Sequence, residues 1–177
     1  LFIVILQGLA RRCNRRSDPG KEVRHTRSEK WSLVASFALS DGLLQFLEIA
    51  QSSKILCAKY KVPLIINDRI DIALAVQADG VHLGQTDMPV HVAKSLLPTG
   101  TVIGVSCNDT DHVKKAIEDG VDYIGIGAVW GTITKKLTSP VIGVRGVGLL
   151  LQALDGTNIK AVAIGMQKYI SYIYCDV

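Results

Sequence analysis

The chain has 177 residues, 48% of them apolar and 20% charged, with a formal net charge of +4. That is ordinary globular composition at the length of one domain, large enough to withdraw roughly 70% of the unfolded surface from water. No apolar run approaches the ~20 residues a bilayer-spanning helix needs, which excludes a membrane protein of that kind.

The charge is uneven: residues 1–30 hold eight Lys/Arg against Asp18, Glu22 and Glu29. No Phe, Tyr or Trp is interleaved among these cations to stack on bases, so the run reads as a solvated segment rather than a nucleic-acid site. LFIVIL has no basic region before it and suits a buried first strand over residues 1–6 better than a signal peptide. Residues 11–30 show no periodicity, which is unusual inside a compact domain. Residues 31–39 (WSLVASFAL) fit a buried strand or a helix start. Ser40-Asp41-Gly42 then opens a helix whose apolar face (Leu43, Leu44, Leu47, Ile49, Ala50, Ile55, Leu56) runs to Tyr60, and Pro63 stops it.

Four short Val/Ile/Leu runs follow: Leu64–Ile66, Val81–Leu83, Val102–Val105 and Tyr123–Ile126. Continuous runs of this length, bounded by turn residues, suit strands buried on both faces. Between them the pattern predicts a short helix over Ile72–Val76 capped by Asp68 or Asp71. A second runs from Pro89 to Leu97, and a third from Asn108 to Glu118 behind an Asn/Asp cap. A Thr- and Lys-rich loop occupies 129–140, a helix runs from Gly143 to Leu154, and Ile159–Ile164 is a last strand. The tail GMQKYISYIYCDV has no clear partner. Alternation of this kind gives an α/β fold, a parallel sheet with helical crossovers. A faint repeat, Ala78-Asp-Gly-Val-His-Leu-Gly84 against Glu118-Asp-Gly-Val-Asp-Tyr-Ile-Gly125, is the helix–Gly–strand unit of a (β/α) barrel.

In such folds function gathers at the C-terminal ends of the strands. That rule collects Asn67, Asp68, Gln85, Asp87, Ser106, Gly127, Thr132, Thr134 and Lys135 on one face. Asp68 and Asp87 follow consecutive strands. They could hold Mg²⁺, which takes one or two carboxylates plus substrate phosphate oxygens, or they could simply cap helices. Gly131-Thr-Ile-Thr-Lys-Lys136 offers hydroxyls, backbone N–H groups and two cations to a phosphate, or is a solvated basic loop. His82 reads as a core histidine, and no Ser/His/Asp or Cys/His arrangement is visible. Cys13, Cys57, Cys107 and Cys175 lack metal spacing, and buried free thiols in a reducing compartment are expected.

At four stretches the chain resembles the thiamine-phosphate synthases: VPLIINDR (Val62–Arg69), ADGVHLGQTD (Ala78–Asp87), IGVS (Ile103–Ser106) and DYIGIGAVWGTITKK (Asp122–Lys136). TKKLTSPVIGVRGV (Thr134–Val147) resembles the fungal bifunctional type, in which a hydroxyethylthiazole kinase is fused to the synthase; nothing of that kinase is present here. The resemblance implies a TIM-type (β/α) barrel in a single domain over 1–177. Residues 43–165 are family-like, and 1–42 and 166–177 depart from the pattern as a retained intron or shifted frame would make them. It implies an incomplete barrel, altered at its second strand and without its eighth, whose open edge admits a homo-oligomer.

The implied reaction couples 4-amino-2-methyl-5-pyrimidinylmethyl diphosphate to thiazole phosphate, giving thiamine phosphate and pyrophosphate with Mg²⁺ as cofactor. The family pattern places Asn67, Ser106 and Lys135 on the pyrimidine diphosphate, with Ser106 and Lys135 as its catalytic contacts. It places Asp68 and Asp87 on the metal, and Thr132, Ile133 and Thr134 on the thiazole phosphate. The protein would be cytoplasmic and bind neither nucleic acid nor membrane. The family's Gln-x-Arg-x-Lys grip on the diphosphate falls on Ala35, Phe37 and Leu39, and its second phosphate-approaching glycine on Met166, so little or no turnover is expected. The alternatives are a thiazole tautomerase-like relative and a non-catalytic phosphate-binding fragment.

Overall fold

The computed structural model describes residues 4–8, 34–37, 42–131, 140–164 and 173–175. Strands β1 (Val4–Gly8) and β2 (Val34–Phe37) come first, followed by helix α1 (Gly42–Tyr60). Then β3 (Leu64–Asn67), α2 (Ile70–Ala75), β4 (Gly80–Leu83), α3 (Val90–Leu96), β5 (Val102–Cys107), α4 (Thr110–Glu118) and β6 (Tyr123–Gly127) alternate without a break. Helix α5 (Gly143–Gln152), β7 (Lys160–Ile164) and β8 (Ile173–Cys175) complete the order.

The eight described strands join one sheet in the order β2-β1-β3-β4-β5-β6-β7-β8. Every pairing is parallel except β7 with β8. The α/β reading of the sequence therefore holds, and 31–39 resolves to a strand over its middle. Among the described residues no ladder joins β2 to β8.

Three expectations need correction. The tail is not partnerless: Ile173 pairs with Ala163 and Cys175 with Ala161. Nor is the position beyond β7 empty, although its occupant is antiparallel. Only residues 165–172 separate the two strands, too few for the helical crossover that a parallel return requires. Finally, neither aspartate occupies the cap position of α2. Arg69 does, without a side-chain capping bond, and it instead pairs with the first-turn Asp71.

The strand alternation divides the sheet into two faces. Leu64, Ile66, Val81, Leu83, Ile103, Val105, Ile124, Ile126, Ala161 and Ala163 share one buried cluster with Phe46, Ala50 and Cys57 of α1, Ala93 of α3, Val113 and Ala116 of α4, and Leu150 of α5. Ile65, Asn67, His82 and Tyr123 are equally buried but stand on the intervening positions, outside that cluster. Helices thus cover one face, and the other carries the polar side chains.

At the N-terminal ends of the strands, two aspartates tie neighbours together. Asp79 accepts the Leu64 N–H at 2.8 Å and the Lys54 ammonium at 2.9 Å. Asp122 accepts the Ile103 N–H at 2.7 Å. The repeat in the sequence matches Asp79 with Asp119, whereas the structure gives the role of Asp79 to Asp122. Asp119 closes α4 instead.

Candidate functional site

The strand tips at the opposite end bring the sequence-derived residues together. Asn67 is the last residue of β3 and pairs in register with His82 of β4. The residue is 7% exposed. Among the described residues its amide has no hydrogen-bond partner, the kind of buried polar group that a ligand completes.

Asp68 follows directly with φ +62°, the left-handed region that a non-glycine residue occupies at a cost of about 1 kcal/mol. Two backbone bonds hold it there: its N–H donates to His82 O at 2.9 Å, and Arg69 N–H donates to Asn67 O at 2.7 Å. Strained backbone of this sort concentrates at binding sites.

Asp87 closes the loop after β4. Its carboxylate accepts the Gly84 N–H at 2.6 Å, and its own N–H returns to Gly84 O at 3.3 Å. The two carboxylates therefore follow neighbouring parallel strands, at the same end of the sheet. Among the described residues no third His, Cys, Asp or Glu joins them in a metal-binding group.

Ser106, the fifth residue of β5, is fixed from both sides. Its carbonyl accepts the Gln85 amide at 2.7 Å, and its hydroxyl lies 2.9 Å from His82 Nε2. His82 Nδ1 is in turn 2.9 Å from the phenol of Tyr123. Both rings are 4% exposed, and burial, with a smaller contribution from Asp122, pushes the Tyr123 phenol well above its ordinary pKa.

Room for the rings comes from glycine. A Cβ on Gly104 would overlap the Tyr123 ring, and one on Gly125 would stand 3.0 Å from His82 Cε1. The sequence reading placed His82 in the core, where it is, but missed that Tyr123 and Ser106 flank it. The signal was parity: His82, Gly104, Ser106, Tyr123 and Gly125 all fall on the non-helical face once the strands are in register. Thr132, Ile133, Thr134 and Lys135 lie outside the described residues, as do Leu39 and Met166. Ala35 and Phe37 are in β2.

Comparison with known proteins places the chain among relatives. The family model described as thiamine monophosphate synthase matches residues 41–169. The chain belongs to that family. It is 53% identical over 98 residues to the thiamine-phosphate synthase of Alkaliphilus oremlandii, an overlap covering 55% of this chain and 47% of that protein. It is 47% identical over 107 residues to a probable thiamine biosynthetic bifunctional enzyme of Schizosaccharomyces pombe, covering 60% of this chain and 21% of that one. Bacterial synthases and the bifunctional type are both among its relatives, so the fungal type is one match among several. The solved thiamine phosphate pyrophosphorylase from Pyrococcus furiosus superposes with a TM-score of 0.60 at 34% identity, covering 72% of this chain and 59% of that one. The chain thus spans about half the length of the curated synthases it matches, and still less of the bifunctional enzyme.

Proposed function

We propose that this chain handles the substrates of thiamine phosphate synthesis, a pyrimidinylmethyl diphosphate and a thiazole phosphate, at the strand tips of β3, β4 and β5. The observation that carries this reading is the convergence of Asn67, Asp68, Asp87 and Ser106 at one end of a parallel sheet whose family makes thiamine phosphate.

Asp68 and Asp87 offer hard carboxylate oxygens from neighbouring strands. That donor set fits Mg²⁺, which takes few protein ligands and completes its shell with water and substrate phosphate. Bound there, the ion would neutralise charge on the departing diphosphate. The buried Asn67 amide, without a partner among the described residues, finds one on the pyrimidine diphosphate. Ser106 and Lys135 contact the same substrate, Lys135 as a cation for the diphosphate. Thr132 and Thr134 offer hydroxyls, and Ile133 a backbone N–H, to the thiazole phosphate. The substitution is dissociative: the bond from the pyrimidinylmethyl carbon to diphosphate oxygen breaks, the amino-pyrimidine ring supports the carbocation, the thiazole nitrogen then attacks that carbon, and pyrophosphate leaves. The chain's share is alignment and stabilisation of the departing charge.

We read the sheet as the family's (β/α) barrel in a single domain, incomplete where antiparallel β8 takes the place of a parallel eighth strand. Its second strand, Val34-Ala35-Ser36-Phe37, carries no cation. Losing two cations from a diphosphate site removes several kcal/mol, at roughly 1.5–3 for each charged hydrogen bond. Binding without efficient turnover follows. The buried free thiols of Cys57 and Cys107 suit a cytoplasmic protein. No helix among the described residues is long and apolar enough to cross a membrane. A homo-oligomer through the sheet edge, and a fused hydroxyethylthiazole kinase in a longer protein, belong to the same reading. The paired Asp68 and Asp87 speak against a tautomerase, which has less use for a metal–diphosphate site.

Thermal unfolding of the 177-residue protein with each substrate, alongside a pyrophosphate-release assay, tests this. Stabilisation by the pyrimidine diphosphate that depends on Mg²⁺, with release far slower than in a complete synthase, is the expected result. Stabilisation by thiazole phosphate alone, or by neither substrate, overturns it.

A further inference from the structure

Ser106 is held by a chain of three side chains, and the protons along that chain can be assigned. Tyr123 is 4% exposed, and among the described residues its phenol has one hydrogen-bond partner, His82 Nδ1 at 2.9 Å. A buried phenol that keeps its proton must donate it, because an unpaired buried O–H costs more than the net value of the bond. Burial holds that proton in place. Tyr123 therefore donates, and His82 Nδ1 is the acceptor and carries no hydrogen. The imidazole proton then sits on Nε2, 2.9 Å from Ser106 Oγ, and Nε2–H donates to that oxygen. With its oxygen already accepting from His82 and its carbonyl taken by the Gln85 amide, Ser106 has its own O–H left to offer.

We propose that Tyr123 and His82 are positioning residues that turn the Ser106 hydroxyl outward as a hydrogen-bond donor toward the bound pyrimidine diphosphate. The proposal rests on the reading of Ser106 as a contact to that substrate. The opposite proton order would present Ser106 as an acceptor, which repels phosphate oxygens and ring nitrogens alike. Gly104 and Gly125 belong to the same device, because each leaves the space that one of the two rings fills. The relay sets direction as well as position: the phenol, at one end, decides which way the hydroxyl at the other end points.

The test has two arms. In the first, the full chain is labelled with ¹⁵N-histidine, and the His82 ring signals are identified by their loss in His82→Gln. The ring should carry its hydrogen on Nε2 in the ligand-free protein. A hydrogen on Nδ1 overturns the proposal whether or not the protein binds any substrate. In the second arm, calorimetry measures binding of the pyrimidine diphosphate and of inorganic pyrophosphate, both with Mg²⁺. Tyr123→Phe and Ser106→Ala should each weaken the pyrimidine diphosphate about fivefold, the loss of one neutral hydrogen bond. The double variant should be no weaker than Ser106→Ala alone, since both changes remove the same contact. His82→Leu should lose affinity as Ser106→Ala does. His82→Gln, which keeps an amide donor for Ser106 Oγ, should recover most of that loss. Equal weakening of pyrophosphate puts the accepting atom on the diphosphate, and an unchanged pyrophosphate affinity puts it on the ring. Additive losses in the double variant, or no rescue by glutamine, reduce the two rings to packing and overturn the proposal. A wild-type chain that binds neither ligand refutes the functional reading, and the histidine spectrum still decides the relay.

Discussion

Substituting Gly104→Ala puts a single methyl group where the Tyr123 ring lies. The added Cβ would overlap the ring atoms and crowd the phenol oxygen. Tyr123 is 4% exposed and bound to His82, so the ring has no open space to swing into. Overpacking of this kind costs about 1–3 kcal/mol, and the displaced phenol forfeits about 1 more through its hydrogen bond, for a total near 2–4 kcal/mol. At this chain length each kcal/mol moves the unfolding midpoint by about 2–4 °C, so a fall of roughly 5–15 °C is expected. Calorimetric or circular-dichroism melts of the two proteins measure it. The double variant Gly104→Ala/Tyr123→Leu, which clears the ring away, should be more stable than the sum of the two single losses by more than about 1 kcal/mol. A Gly104→Ala melt that coincides with wild type would show that the ring is not confined there, and the packing of the inner face as described would be wrong.

Two further outcomes follow from the polar groups. Burial raises the Asp79 carboxyl, but the Leu64 N–H and Lys54 outweigh it and hold the group below its ordinary pKa. Its stabilisation is therefore present above the unfolded value and is lost as pH falls through the lower folded value, in the region below about pH 4. Urea unfolding at stepped pH should show a shallower acid slope in Asp79→Asn. Asp79→Ala should lose about 1–3 kcal/mol at neutral pH by stranding the Leu64 N–H; an unchanged midpoint refutes the tie. Burial, and then Asp109, pushes the Cys107 thiol up to about 12, and burial likewise raises Cys57. Peptide-resolved alkylation at neutral pH should leave both untouched until denaturant is added. Rapid native modification of Cys107 would contradict its place in the core.

Much of the fold was legible because its strands are continuous Val/Ile/Leu runs. Leu64–Ile66 and Val102–Val105 each sit inside an observed strand, and the Asp cap of α4 is where the Asn/Asp pair pointed: Asp109 accepts the His112 N–H at 2.8 Å. The start of α2 was misjudged because Asp68 is a good capping residue by type, yet the bend after β3 uses its backbone in the left-handed region and moves the helix start to Ile70. The antiparallel pairing of β8 with β7 sets two segments side by side whose register neither strand's own residues announce. The site was legible only as far as its strand tips. Asn67, Asp68, Asp87 and Ser106 follow from position alone. The Tyr123–His82 link is a matter of register between β4, β5 and β6, which no single segment encodes.

Asp79 and Asp122 secure the sheet from the end opposite the candidate site, each by a bond to a neighbouring strand's backbone. Cohesion and the candidate site therefore draw on separate residues. Changes at the strand tips would leave these ties in place, so the scaffold would hold while a different anion site was built on the same tips. Such a division makes the fold a durable platform whose chemistry is the more easily rewritten part.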